Sequence, residues 1–162
     1  MPSVFSNEQD ILEIKQEWLA RLKEAAQETP RRRARLNMHR NSEDPVQEML
    51  ICFCKDSVLP PHKNANKSES FHVVEGNLDV VVFDNEGTLV RKIAMGPLKS
   101  GRTFMYRLAT DPWHTVVPLS DFVIIHETTR GPFKPTDTVF PPWAPEEGPA
   151  VKAFLDKAMG RK

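Results

Sequence analysis

Short apolar runs alternate with turn-forming residues through the middle of the chain. Residues 49–54 form a continuous apolar run, too short for a helix and suited to a buried strand. Residues 58–62 make a second extended piece, which Pro60 and Pro61 confine to a sheet edge or strand end. Residues 71–74 and 78–83 are two further strands, with Gly76-Asn77 as the turn between them. The loop Asp84-Asn85-Glu86-Gly87 then leads into residues 88–95. Beyond the breakers Gly96-Pro97 and Ser100-Gly101 come 103–108, 113–119 and 122–128. Short strands at regular spacing predict a mostly β sandwich or barrel. No helix-length segment interrupts them, which argues against a parallel α/β sheet.

The pattern differs on either side. Ser6 with Gln9 is a capping-box signal, and Ile11, Ile14, Trp18, Leu19 and Leu22 recur at helical spacing. This predicts an N-terminal amphipathic helix of about five turns, ending before Pro30. Its apolar stripe would cover the barrel or a neighbouring subunit. After Gly131, six prolines from Pro132 to Pro149 join Phe133, Phe140 and Trp143 in a stretch that suits a strap over the barrel. Gly148-Pro149 opens a short C-terminal helix with Val151, Phe154, Leu155 and Ala158 on one side, and Gly160 ends it. The chain therefore divides into residues 1–45 (helix and basic connector), 46–130 (barrel) and 131–162 (strap and helix).

Composition narrows the partners. The 162 residues suit one decorated domain, and 22 basic residues balance 22 acidic ones. No global field favours nucleic acid or an anionic membrane, so neither is an expected partner. The arginines Arg31, Arg32, Arg33, Arg35 and Arg40 are a local exception. They read as a solvated basic loop or as a phosphate contact on a nucleotide-linked substrate. No apolar run reaches membrane-spanning length, and residues 1–10 lack the marks of a signal peptide. Cys52 and Cys54 read as small buried hydrophobes in a reducing cytoplasm.

The candidate chemistry lies in residues 61–76. His62 and Asn64 share one face of an extended segment, Asn66 is a turn former, and Glu69 opens the next strand. Folded as a hairpin, this stretch aims all three at one point. His114 follows a turn and starts a strand, so it can face the same interior. His62, Glu69 and His114 make a two-histidine, one-carboxylate set with open coordination positions, suited to a divalent metal such as Fe, Mn, Ni or Zn. Asn64 would be a weak oxygen ligand or a partner for bound water; alternatively the site holds no metal. His72 has the opposite strand parity to Glu69 and faces away unless the hairpin bulges, which leaves it a reserve ligand. His126 reads as structural, and His39 has no clear role. Tyr106 is a pocket acid or an interface residue, and Trp113 packs the barrel mouth.

At these residues the chain resembles the cupin superfamily. His62 and Asn64, four residues to Glu69, then six to Gly76 match the first cupin motif, with Asn64 in place of its second histidine. Ala109 to His114 and Pro118 match the second motif's spacing, with Ala109, Asp111 and Pro118 replacing proline, glycine and asparagine. Asp111 is a tolerable change, because aspartate visits left-handed conformations. The wider chain is similar to WbuC-type cupin-fold metalloproteins of O-antigen polysaccharide gene clusters. That likeness is carried by R-R-R-A-R-L-N-M-H-R at Arg31, K-S-E-S-F-H-V-V-E-G at Lys67, V-V-V-F-D-N-E-G at Val80, W-H-T-V-V at Trp113 and P-P-W-A-P-E-E-G at Pro141. It covers roughly residues 31–148 and implies a double-stranded β-helix, a jelly-roll barrel with a metal inside. It brings no settled reaction. The resulting expectation is a metal-binding protein acting on a small polar molecule such as a sugar or nucleotide sugar. A non-catalytic carbohydrate-binding or sensing module and a metal-free nucleotide-sugar isomerase or epimerase are the alternatives. The terminal segments would suit a homodimer.

Overall fold

A computed structural model describes residues 1–161, so only the last residue of the 131–162 segment falls outside. The elements are β1 (Val4–Ser6), α1 (Gln16–Glu28), β2 (Arg33–Asn37), β3 (Val46–Cys54), β4 (Lys63–Asn64), β5 (Glu69–Glu75) and β6 (Leu78–Phe83). They continue with β7 (Leu89–Met95), β8 (Met105–Leu108), β9 (Trp113–Pro118), β10 (Phe122–Arg130), β11 (Thr138–Val139) and α2 (Pro149–Ala158). A six-stranded sheet runs β1-β2-β3-β10-β5-β8, and a three-stranded sheet runs β7-β6-β9. The short β11-β4 ladder joins the smaller sheet through an antiparallel bridge between His62 and His114. All strand ladders are antiparallel except β1 on β2. The result is the cupin double-stranded β-helix, a jelly-roll barrel with a helix at each terminus.

Strand parity sorts the apolar residues into three layers. Phe53, Phe71, Val73, Val80, Val116 and Ile125 fill the barrel between the sheets. Ala34, Leu36, Leu50, Cys52, Cys54 and Ile124 face outward and pack against Leu22, Ala25 and Ala26 of α1. On the opposite side Val81, Phe83 and Trp113 meet Val151 and Leu155 of α2. Ile124 and Ile125 are neighbours that serve different layers, and a register shift in β10 against β5 lies between them. Both cysteines are free and buried, as small hydrophobes would be.

Most strands sit where the hydrophobic pattern put them, but three segments differ. The N-terminal helix begins at Gln16 rather than near Ser6, which instead ends β1. Asn7 explains the delay. Its side-chain oxygen accepts from the Gln9 amide at 2.8 Å, and its nitrogen donates to the Gln9 and Met38 carbonyls. These local bonds compete with a helix start. The basic stretch is no solvated loop: residues 33–37 form β2 inside the large sheet. Its R-A-R-L-N alternation buries Ala34 and Leu36, a period of two that the charges obscure. Residues 58–62 contribute only the His62 bridge, because the two prolines leave few amides to pair. The proline-rich strap pairs Thr138 and Val139 with β4 and seats Trp143 against Phe83, Trp113 and Phe154.

Candidate functional site

The strap and two proline-containing connections bring the candidate residues together. His62 and His114 exchange backbone hydrogen bonds of 3.0 and 2.9 Å, so their rings stand side by side with centroids 4.9 Å apart. Each histidine follows a proline by two residues. The carbonyl of Pro60 lies 3.0 Å from Nδ1 of His62, and that of Pro112 lies 2.9 Å from Nδ1 of His114. A carbonyl only accepts, so Nδ1 carries the proton on both rings and Nε2 is turned toward the interior. This is how histidines are oriented when Nε2 serves as a ligand.

Glu69 starts β5 and points inward with Phe71 and Val73, at 4% exposure. Its Oε1 lies 2.7 Å from Nε2 of His114, an ion-pair contact when that ring is protonated. Oε2 accepts a 3.0 Å hydrogen bond from the Asn64 carboxamide, whose own oxygen accepts from the Thr138 hydroxyl at 3.0 Å. Asn64 therefore holds the carboxylate, with its oxygen turned to the strap. Asn66 takes the left-handed conformation at φ 60°, and its amide donates to the Asp111 carboxylate at 3.1 Å, joining the two motif loops.

Burial disfavours charge on all three groups, and their mutual fields decide the outcome. Burial and then His114 push the His62 imidazole down to about 4, so it is neutral. Burial would raise the Glu69 carboxyl, but His114 and Asn64 hold it below the ordinary range. Burial would likewise lower His114, but Glu69 raises it. The cluster is a carboxylate, a readily charged imidazole and a neutral one.

His72 stands across from His126 on the outer face of the large sheet, its ring against Phe104, in a cleft beside α1. It does not reach the cluster; strand parity places it there. Tyr106 packs edge-on against Phe71 at 5.1 Å, with its hydroxyl buried and unpartnered. Burial, Glu69 and Glu127 raise its pKa, so it is a neutral phenol.

Glu127 is a group that sequence reasoning missed. It pairs with Phe71 across β10 and β5, two residues from inward-facing Ile125. That two-residue step was the available signal. Burial, then Glu69, pushes its carboxyl up to about 8. The unfolded chain ionises this group near 4.5, so between these values unfolding releases a proton. The stability tied to the neutral acid is full below about 4.5 and is lost as pH rises through about 8. Glu127→Gln is expected to be more stable than the native chain at pH 9 by roughly 2 kcal/mol, since water partly reaches the residue, and no more stable at pH 4. Urea unfolding across that pH range measures it.

The groups that could meet a cation are Nε2 of His62, Oε1 of Glu69 and, once its proton is displaced, Nε2 of His114. Among the described residues no three His, Cys, Asp or Glu side chains already stand around a common ligation point. Among those residues, no helix is long and apolar enough to cross a membrane.

Solved structures share the barrel. Protein SO0799 from Shewanella oneidensis aligns with a TM-score of 0.55 and 14% identity, over 65% of this chain and 72% of that one. CapF, solved with the inhibitor 3-isopropenyl-tropolone, gives 0.52 and 16%, over 67% of this chain and 31% of that one. Procruciferin, an 11S globulin from Brassica napus, gives 0.51 and 14%, over 64% of this chain and 26% of that one. The match thus spans about a third or less of the last two proteins. At such identities these likenesses establish the fold alone. No curated protein matches the sequence. A family model matches residues 14–95, half of the chain and the part that carries His62, Asn64 and Glu69, and the chain belongs to that family, the domain of unknown function DUF6016.

Proposed function

We propose that this protein binds one divalent metal through His62, Glu69 and His114 and acts on a small polar molecule at that centre. One observation carries the reading: Glu69 Oε1 is buried 2.7 Å from Nε2 of His114, beside two imidazoles whose Nδ1 atoms are already committed to carbonyls. A buried carboxylate is costly unless a positive charge faces it, and a divalent cation is a partner that two Nε2 atoms and an anionic oxygen fit together. The 2.7 Å between Oε1 and Nε2 of His114 is close to the roughly 3 Å expected of neighbouring ligands on one ion. Fe, Mn, Ni and Zn all suit this donor set. Such an ion supplies Lewis-acid polarisation of a bound oxygen or a lowered pKa for bound water.

The chain's own residues provide the rest. Asn64, anchored by Thr138, keeps Glu69 from rotating away. His62 stays neutral and keeps its lone pair available. The buried Tyr106 hydroxyl, which lacks a hydrogen-bond partner, would donate to a substrate oxygen. The WbuC-type resemblance supports a sugar or nucleotide sugar as the molecule and polysaccharide synthesis as the setting. A metal-free isomerase or epimerase is the second reading, favoured by the contact of Glu69 with a readily protonated His114.

A panel of sugar phosphates and nucleotide sugars, assayed before and after chelation, tests these readings. Turnover that chelation abolishes and metal restores is the expected result. Full turnover in excess chelator supports the metal-free enzyme. Stabilisation by a sugar that is never turned over supports a binding or sensing module. Protein that takes up no divalent ion overturns the metal reading.

A further inference from the structure

The arginines that read as a loop from sequence lie on a strand with two distinct faces. Ala34 and Leu36 of β2 face α1, so Arg33, Arg35 and Asn37 face the other way. Their cross-strand partners on that face are Phe53, Ile51 and Met49, the first two belonging to the barrel interior. Arg33 is partly buried, and its charge is felt at His62, while the charge of Arg35 is felt at Glu127.

Neither guanidinium is matched by an acid. Arg32 pairs with Asp56 and Arg40 with Asp10, but among the described residues Arg33 and Arg35 form no ion pair. Burial lowers the pKa of Arg33, and Arg31 and Arg35 lower it further. Two like charges thus stand on one strand face without an acidic counterpart, Arg33 partly buried and Arg35 exposed to an incoming anion. Asn37, next on the same face, has a buried side-chain oxygen without a hydrogen-bond partner. That oxygen needs a donor.

We infer that this face of β2 is the anion-recognition wall of the substrate site: Arg33 and Arg35 grip a phosphate or carboxylate group, and Asn37 accepts a hydroxyl from the same molecule. The ligand is thus a hydroxylated small molecule carrying an oxyanion. The inference rests on the proposed function for one point, that the reacting end of this molecule lies at the His62–Glu69–His114 cluster. Guanidinium suits both oxyanions because its fork of N–H groups matches two oxygens at once.

Calorimetric titration with pyrophosphate and with citrate tests it, using the full chain in metal-loaded and chelator-stripped forms. Arg33→Gln and Arg35→Gln are each expected to weaken binding about tenfold, and the double variant by roughly 100-fold. Lys99→Gln, in the exposed turn Leu98–Ser100, is expected to change nothing. The tighter probe tells phosphate from carboxylate recognition. Equal binding by native and doubly substituted protein, an equal loss in Lys99→Gln, or no binding of either probe overturns the inference. Binding that vanishes on chelation yet survives both arginine changes also overturns it, while leaving the metal centre intact. Arginine-dependent binding in a protein that takes up no metal sustains it and sinks the metal reading instead. Thermal melts of each variant confirm that the fold is retained.

Discussion

The double variant His62→Ala/His114→Ala is expected to lose its metal. Structural divalent sites derive roughly 10 to 16 kcal/mol from about four ligands, so each imidazole is worth about 3 kcal/mol, or roughly a hundredfold in affinity. Removing both therefore lowers affinity about ten-thousandfold and leaves the purified protein without its ion. The two rings do not contribute alike to the fold. His114 offsets the charge of Glu69, and its removal strands a buried carboxylate, which destabilises by about 3 kcal/mol or more. His62 is neutral, and its removal strands no charge. His62→Ala alone thus separates loss of a ligand from loss of the fold: about a hundredfold weaker metal binding with little change in the melting temperature of the stripped protein. Full metal content in the double variant would remove these residues from the site.

Gly76→Ala is expected to destabilise the barrel strongly. Gly76 closes the turn between β5 and β6 at φ 77°, a conformation that costs an alanine about 1 kcal/mol. The added Cβ would also stand 2.1 Å from the Phe122 carbonyl oxygen and 3.0 Å from the Val123 Cα. Both obstacles are backbone of β10, which is held on either side by β3 and β5. The turn must back out of the sheet. We expect a loss of about 3 kcal/mol or more and a melting temperature lower by roughly 10 °C. A variant melting within about 2 °C of the native protein would contradict the close approach of this turn to β10.

Both predictions rest on features with different legibility. The barrel strands were readable because their apolar runs are short, regular and separated by turn residues. The approach of His62 and Glu69 to His114 was readable because two-residue steps, one turn former and a proline just before each histidine's strand position fix where those side chains point. The strand β2 was not, since its alternation is written in arginines and the eye counts charge before period. The orientation of Asn64 was hidden for another reason: Thr138, which turns its carboxamide, lies 74 residues away. Glu127 became visible as an interior acid only once β10 was set against β5, with its register shift on the Ile125 side. The late start of α1 depends on how Asn7 bonds its neighbours, a local competition that apolar spacing does not report.

Elemental analysis of the protein as isolated is the direct test of the central claim. The account predicts about one divalent ion per chain, bound by two imidazoles and a carboxylate and absent from the His62→Ala/His114→Ala variant. Native protein that holds none, and takes up none when iron, manganese, nickel or zinc is supplied, would contradict it.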